Sequence, residues 1–300
     1  MDIALQHIYT GHSDAVYSLE RGLEEHIFYS GSADDFVGSW DIRTGTFNKP
    51  LIKASGSIYS LLVSPSNNMA YIGQRGGFLN QVDLTRSVPP RTLMAHQGDL
   101  FALAKDRIRH RLITGGGDGY MRFWDAENLK HIISFRLSKT NVRCLAISPD
   151  QQLIAAGSSD HIIRIFDLDS LEQLFVLEGH QNSVFSILWQ DNNRLISGGR
   201  DALIKVWDKT DEWQESLSIN AHLYTVNHLE RSPGGQYIAS ASRDKTVKIW
   251  DAATMTLQKV LDRPKFDAAH THSVNRVLWI DDQTLLTAGD DKRILCWQIV

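Results

Sequence analysis

Along the chain, short apolar runs alternate with polar turns. Residues 184–208, VFSILWQDNNRLISGGRDALIKVWD, show the pattern in full. An apolar run from Val184 to Trp189 gives way to a polar turn from Gln190 to Asn193. A second run, Leu195-Ile196-Ser197, leads to a turn at Arg200-Asp201, and a third, Leu203 to Trp207, alternates apolar with polar. Such runs match strands of about four to six residues joined by tight turns. No segment sustains a 3.6-residue period over roughly 12 residues, as a surface helix would. The turn clusters Ser64-Pro65-Ser66-Asn67, Ser148-Pro149-Asp150 and Ser232-Pro233-Gly234-Gly235 supply the punctuation. The pattern predicts an all-β protein.

The strands belong to a repeat. An aromatic-Asp pair recurs as Trp40-Asp41, Trp124-Asp125, Phe166-Asp167, Trp207-Asp208 and Trp250-Asp251, with Val82-Asp83 and Trp297-Gln298 as degenerate copies in phase. Successive intervals are 42, 42, 42, 41, 43 and 47 residues. A second marker stands 27 or 28 residues before each pair: His12, His96, His180, His222 and His270, replaced by Ala54 and Ser138 in units two and four. Seven units of about 42 residues account for the chain. A four-stranded sheet of that size does not bury both its faces alone, and radial stacking with ring closure solves this. The last unit holds three strands over 271–300. Residues 4–9 have the character of the missing fourth and are expected to pair with it, which makes 1–300 one domain.

Five units also repeat a Ser/Thr and an Asp between the two markers. Unit one has His12, Ser30, Asp34 and Trp40, and unit three has His96, Thr114, Asp118 and Trp124. Unit five has His180, Ser197, Asp201 and Trp207. Unit six has His222, Ser240, Asp244 and Trp250, and unit seven has His270, Thr287, Asp291 and Trp297. Ser, His and Asp together invite a hydrolase reading, but five copies of one active site in one chain, with Thr exchanging for Ser and no nucleophile-elbow motif, argue for structure. An indole only donates, a hydroxyl and a neutral imidazole do both, and a carboxylate accepts, so Trp to Ser/Thr to His to Asp is a self-consistent chain of donors. Unit two (Ala54, Ile72, Gly76, Val82) and unit four (Ser138, Ala156, Asp160, Phe166) depart from it, and these blades are expected to be held by packing alone.

With these motifs in phase over the whole length, the sequence resembles the WD-repeat β-propeller family. The resemblance implies a seven-bladed ring of four-stranded antiparallel blades and the tetrad just described. It also implies a role as a non-enzymatic platform for proteins or peptides on the channel-mouth face. The family's contact positions lie five and three residues after each His position and one before each Asp position. The first set is Tyr17, Tyr59, Phe101, Arg143, Phe185, Asn227 and Asn275; the last includes Arg75, Arg200 and Arg243. The middle set, from Ala15 and Ser57 to Ser273, is small or polar. Partner binding is therefore expected at Tyr17, Tyr59, Arg75, Phe101, Arg143, Phe185, Arg200 and Arg243. Tyr and Arg are enriched at interface hot spots, and arginines suit a segment bearing carboxylates or phosphate. The extra residues Arg263–Ala269 fall, by phase, in a loop of the same face.

Composition narrows the field. Hydrophobic residues are 42% and the formal net charge is -4, which argues against a general nucleic-acid or membrane-surface binder. No apolar run approaches the ~18 residues of a membrane helix. Cys144 and Cys296, far apart in the repeat order, are expected to be free thiols. Gly115-Gly116-Gly117-Asp118-Gly119 lacks the Gly-Lys-Ser/Thr ending of a phosphate loop. No spacing of His222, His228, His270 and His272 points to a metal, and no motif to a catalytic residue or cofactor. The basic run from Lys105 to Arg111 reads as a solvated turn. No signal peptide precedes the repeats and no lipidation motif follows them, so a cytoplasmic component of a larger complex is expected. Two other readings stand at this level: an enzyme that uses the channel as a pocket, and a single-strand nucleic-acid binder that uses the Arg/aromatic rim.

Overall fold

The computed structural model describes residues 1–85 and 87–299. It contains seven four-stranded antiparallel sheets, six of them built from strands in chain order. The seventh combines Val274–Trp279, Thr284–Gly289 and Ile294–Ile299 with the N-terminal strand Ile3–Tyr9. That strand pairs antiparallel with Ile294–Ile299, from Ile3 opposite Ile299 to Tyr9 opposite Ile294. The fourth strand of the last blade thus comes from the start of the chain, and Val300 lies outside the described residues. These are the blades of a seven-bladed β-propeller.

Packing divides the chain into two compact units, one holding residues 1–70 and 227 onward, the other residues 71–226. The divisions fall within blade two, in the strand Met69–Gln74, and within blade six, in the strand Val226–Arg231. In each unit, cores form between successive blades. In the first, Leu19, Phe28 and Trp40 of blade one pack with Tyr9, Leu278, Leu286 and Cys296 of the last blade. In the second, Ile113, Met121 and Phe123 of blade three meet Ile154, Ala156 and Phe166 of blade four.

The second strand of each blade is buried on both faces, and small residues let neighbours approach; Leu153–Ser158 is buried at all but its first residue. The fourth strands are mostly exposed, as in Trp213–Asn220. This inside-to-outside gradient reflects apolar area removed from water near the blade centres. Cys144 and Cys296 are both buried free thiols. Burial raises them, Cys144 to about 12 and Cys296 to about 11, so neither ionises near neutrality.

One turn recurs in all seven blades. The residue after each turn-Asp position has positive φ: Asp35, Gly77, Gly119, His161, Ala202, Lys245 and Lys292, at 66 to 81°. Glycine is required at Gly77 and Gly119. A Cβ there would lie 2.0 Å from the His96 carbonyl oxygen and 2.3 Å from that of Ser138.

Candidate functional site

The turns carry the tetrads. In blade one the Trp40 indole donates to Ser30 Oγ at 2.7 Å, and Ser30 lies 2.7 Å from His12 Nε2. His12 Nδ1 lies 2.9 Å from Asp34. Since the hydroxyl accepts from the indole, it donates to Nε2, and Nδ1–H donates to the carboxylate. Blade three repeats the chain through Trp124, Thr114, His96 and Asp118 at 2.9, 2.7 and 2.8 Å. Blade five uses Trp207, Ser197, His180 and Asp201 at 2.8, 2.7 and 2.9 Å. Blade seven uses Trp297, Thr287, His270 and Asp291 at 3.0, 2.8 and 2.9 Å. In blade six Trp250 donates to Ser240 at 2.9 Å.

Each carboxylate also closes the two turns around it. Asp118 accepts from the Gln97 N–H at 2.9 Å and the Tyr120 N–H at 3.2 Å. Burial pushes the Asp118 and Asp291 carboxyls up, but the imidazole, backbone N–H and arginine donors outweigh it and hold both far below the usual range. Asp201 shifts the same way, with burial opposed by His180 and two N–H groups. Desolvation lowers His96 against the opposing pull of Asp118. The hydroxyls of Ser30, Thr114, Ser197 and Thr287 are 0% exposed. A nucleophile must reach its substrate, and these are committed to an indole and an imidazole inside the blade.

The first-set residues share a local cause. Pairing of the first with the second strand skips one residue at Tyr17, Phe101, Arg143, Phe185 and Asn275. Each is the extra residue of a β-bulge, a feature that re-aims a side chain out of the pleat. In the 71–226 unit this brings three of them together. The Arg143 guanidinium lies 4.2 Å from the Phe101 ring centroid and 5.4 Å from that of Phe185. Its Nε donates to Ser159 Oγ at 3.0 Å. In the other unit Tyr17 and Tyr59 meet with ring centroids 5.5 Å apart. Asn275 instead bonds the Val16 carbonyl at 3.1 Å and Asp290 at 2.7 Å. Arg75, Arg200 and Arg243 are exposed at turn tips and form no ion pair with the described residues.

Three features correct or extend the sequence reading. Blades two and four are not held by packing alone. In blade two, Tyr71 Oη and Gln81 Nε2 both donate to the Ala126 carbonyl, at 2.6 and 3.1 Å. In blade four, Arg164 pairs with Asp160 at 2.8 Å. The basic run Lys105–Arg111 is organised around Asp106, which is 0% exposed and bonded by both Arg109 and Arg111. The insertion Arg263–Ala269 lays Phe266 edge-on against Trp297 at 5.2 Å, and Arg293 donates to the carbonyls of Ala268 and Ala269.

Sequence reasoning also missed a group of ionisable side chains on the first strands of blades six and seven. Glu230 Oε2 accepts from the Trp279 N–H at 3.1 Å, and His228 Nδ1 from the Val277 N–H at 3.5 Å. Desolvation raises Glu230 to about 8 against the attraction of Arg276 and Arg21, and it lowers His228 well below its usual value. Nothing in the strand's alternation marks these positions. The signal is two ionisable residues on one first strand.

Four-stranded blades tied by Trp–Ser/Thr–His–Asp chains define a repeat-built β-propeller. The chain belongs to the WD domain, G-beta repeat family, whose model matches residues 4–41, 87–125, 129–167, 171–208, 213–251 and 263–298. The segment between 41 and 87, which contains most of blade two, lies outside the matches. Relatives match part of the chain. Protein HIR1 of Mycosarcoma maydis is 31% identical over 115 residues, 38% of this chain and 11% of that protein. The ribosome biogenesis protein WDR12 homolog of Drosophila mojavensis is 32% identical over 115 residues, 38% and 26% of the two chains. The serine-threonine kinase receptor-associated protein of Mus musculus is 28% identical over 120 residues, 40% and 32%. The matched region is thus between about a tenth and a third of these relatives' length.

Proposed function

We propose that this protein is a non-enzymatic scaffold that binds a peptide or protein segment on the channel-mouth face expected of a propeller, as a cytoplasmic component of a larger complex. The observation that carries the reading is the row of first-strand bulges at Tyr17, Phe101, Arg143 and Phe185. A bulge disrupts the ladder locally, yet it recurs at the same phase of the first strand, and at four of its five sites the re-aimed side chain is a large aromatic or an arginine. The Phe101–Arg143–Phe185 stack is already assembled, so little side-chain freedom is lost when a partner settles on it. Arg75, Arg200 and Arg243 supply free guanidinium groups for carboxylates or phosphates, by bidentate pairing. Family membership and the buried tetrad hydroxyls support a scaffold over an enzyme.

The test is affinity capture followed by mass spectrometry, with wild type against a Tyr59→Ala/Arg200→Ala double variant of equal thermal stability. Partners retained by wild type and lost by the variant are expected. Identical partner sets would overturn the assignment.

A further inference from the structure

Four residues after the turn-Asp position, the third strand carries a cation in four blades: Arg122, Arg164, Lys205 and Lys248. In blade three Arg122 donates to Asp118 at 2.8 Å, and its guanidinium lies 4.6 Å from the Tyr120 ring centroid. In blade four Arg164 does the same to Asp160 at 2.8 Å. Blade seven has Leu295 at that position and draws its cation from Arg293, 2.7 Å from Asp291. A turn carboxylate is thus given a guanidinium by its own blade three times over, at the tetrads of blades three and seven and at Asp160 of blade four.

Blade one is built for the same arrangement and lacks the guanidinium. Gly38 stands at the position of Arg122, Phe36 at that of Tyr120, and Trp40 at that of Trp124. Asp34 accepts from His12 and from the N–H groups of Ser13 and Phe36, and no lysine or arginine among the described residues pairs with it. Burial pushes this carboxyl up, but those donors outweigh it, so it is ionised at neutral pH. Where Arg122 fills space in blade three, blade one has a cavity of about 250 Å³, lined by Asp34, Phe36, Gly38, Trp40, Phe47 and Pro50. Its floor is deep, with Asp34 8% exposed, and its rim is open, with Phe47 48% exposed. The in-chain cation nearest the rim ring is Lys53, whose Nζ lies 5.5 Å from the Phe36 centroid.

We propose that this cavity is a binding site for an arginine side chain of a partner protein. The guanidinium would stack on Phe36, the methylene stem would run along Trp40 and Phe47, and the N–H groups would reach Asp34. Blade three shows the constellation accepting arginine in cis. Aromatic stacking and a planar fork of donors favour arginine over lysine. The site lies within one blade and is independent of the rim residues of the proposed scaffold face.

Nitrogen-15 NMR of the whole chain tests this with two probes, N-acetyl-arginine amide and its neutral isostere N-acetyl-citrulline amide. The arginine probe should give saturable shifts of the Gly38 amide and Trp40 indole signals, with citrulline at least ~10-fold weaker. Gly38→Arg should fill the cavity from within and abolish those shifts. Its Cβ would lie 2.9 Å from Trp40 Nε1, so this variant must displace the ring to fold. Phe36→Ala tests the same point without that clash and should weaken arginine binding several-fold. Absence of saturable shifts, equal response to both probes, or undiminished binding in Phe36→Ala would overturn the proposal.

Discussion

The guanidinium of Arg143 lies 4.2 Å from the ring centroid of Phe101, although the two belong to successive blades. Both residues occupy β-bulges of their first strands, and the Phe185 ring covers the arginine's other side at 5.4 Å. A cation held between two rings joins three consecutive blades at one point. Stacking of this kind is worth about 0.5–2 kcal/mol according to how far it is desolvated.

Replacing Arg143 by lysine keeps the charge and loses the planar stack and the bond to Ser159. Arg143→Lys should lower the unfolding free energy by about 1 kcal/mol in urea titrations. An unchanged midpoint and slope would show that the stack adds nothing to stability.

The tetrads make a second prediction. Trp124→Phe removes the indole donor to Thr114 and leaves a fully buried hydroxyl with one partner fewer. The expected loss is about 1–3 kcal/mol, measured by chemical denaturation, with far-ultraviolet dichroism unchanged. An identical melting curve would mean that packing alone holds this blade.

Ala202 stands at φ 67° in the recurring turn, and its carbonyl accepts from the N–H groups of Ala221 and His222. An L-residue with a Cβ is strained there by about 1–2 kcal/mol, and glycine is not. The greater freedom of glycine in the unfolded chain offsets part of that relief. Ala202→Gly should therefore raise stability by at most about 1 kcal/mol, read as a small increase in melting temperature. A decrease would show that the turn's hydrogen bonds already favour the left-handed conformation.

Stability should fall at both ends of the pH scale, for opposite reasons. Asp34, Asp118, Asp201 and Asp291 are lowered in the folded state, so they contribute above the ordinary value of 3.8 and lose that contribution as acid protonates them. Glu230 is raised from 4.5 to about 8, so the folded state binds its proton more tightly. Its contribution is complete below 4.5 and is lost as pH rises towards 8. Below 6.5 the lowered His96 and His228 act against this loss, so denaturation midpoints should decline from pH 6.5 towards alkali, and Glu230→Gln should flatten that decline while leaving the acid limb intact. A profile unaltered by Glu230→Gln would place the alkaline loss on another group.

The period of about 42 residues exposed the blades and the tetrads because each hydrogen-bond chain needs the same residue types at the same phase. Phase alone therefore places His12, Ser30, Asp34 and Trp40 together. Arg143 was legible as a position of the first set but not as a side chain held between two rings. Its two rings are each about one repeat away, and the bulges that aim them leave no local mark on the sequence. Blade two was legible only as a departure. Val82 and Ile72 announced the missing tetrad, whereas the bonds from Tyr71 and Gln81 to the Ala126 carbonyl depend on two residues of ordinary strand character. Glu230 and Arg276 were missed because isolated ionisable residues on a short strand read as a solvated face.

The pairing of Ile3–Tyr9 with Ile294–Ile299 has a temporal consequence. Ile3–Tyr9 is synthesised well before Ile294–Ile299, the strand it pairs with. At about 5–20 residues per second the ribosome leaves it without that partner for roughly 15–60 s. Throughout that interval it is a strand with an unpaired edge, the feature most prone to mispairing with another chain. Its alternation of exposed Ala4 and Gln6 with partly covered Ile3 and Leu5 limits the apolar surface offered while it waits. Slowing elongation through the last blade should therefore lengthen the window for aggregation without changing a single native contact.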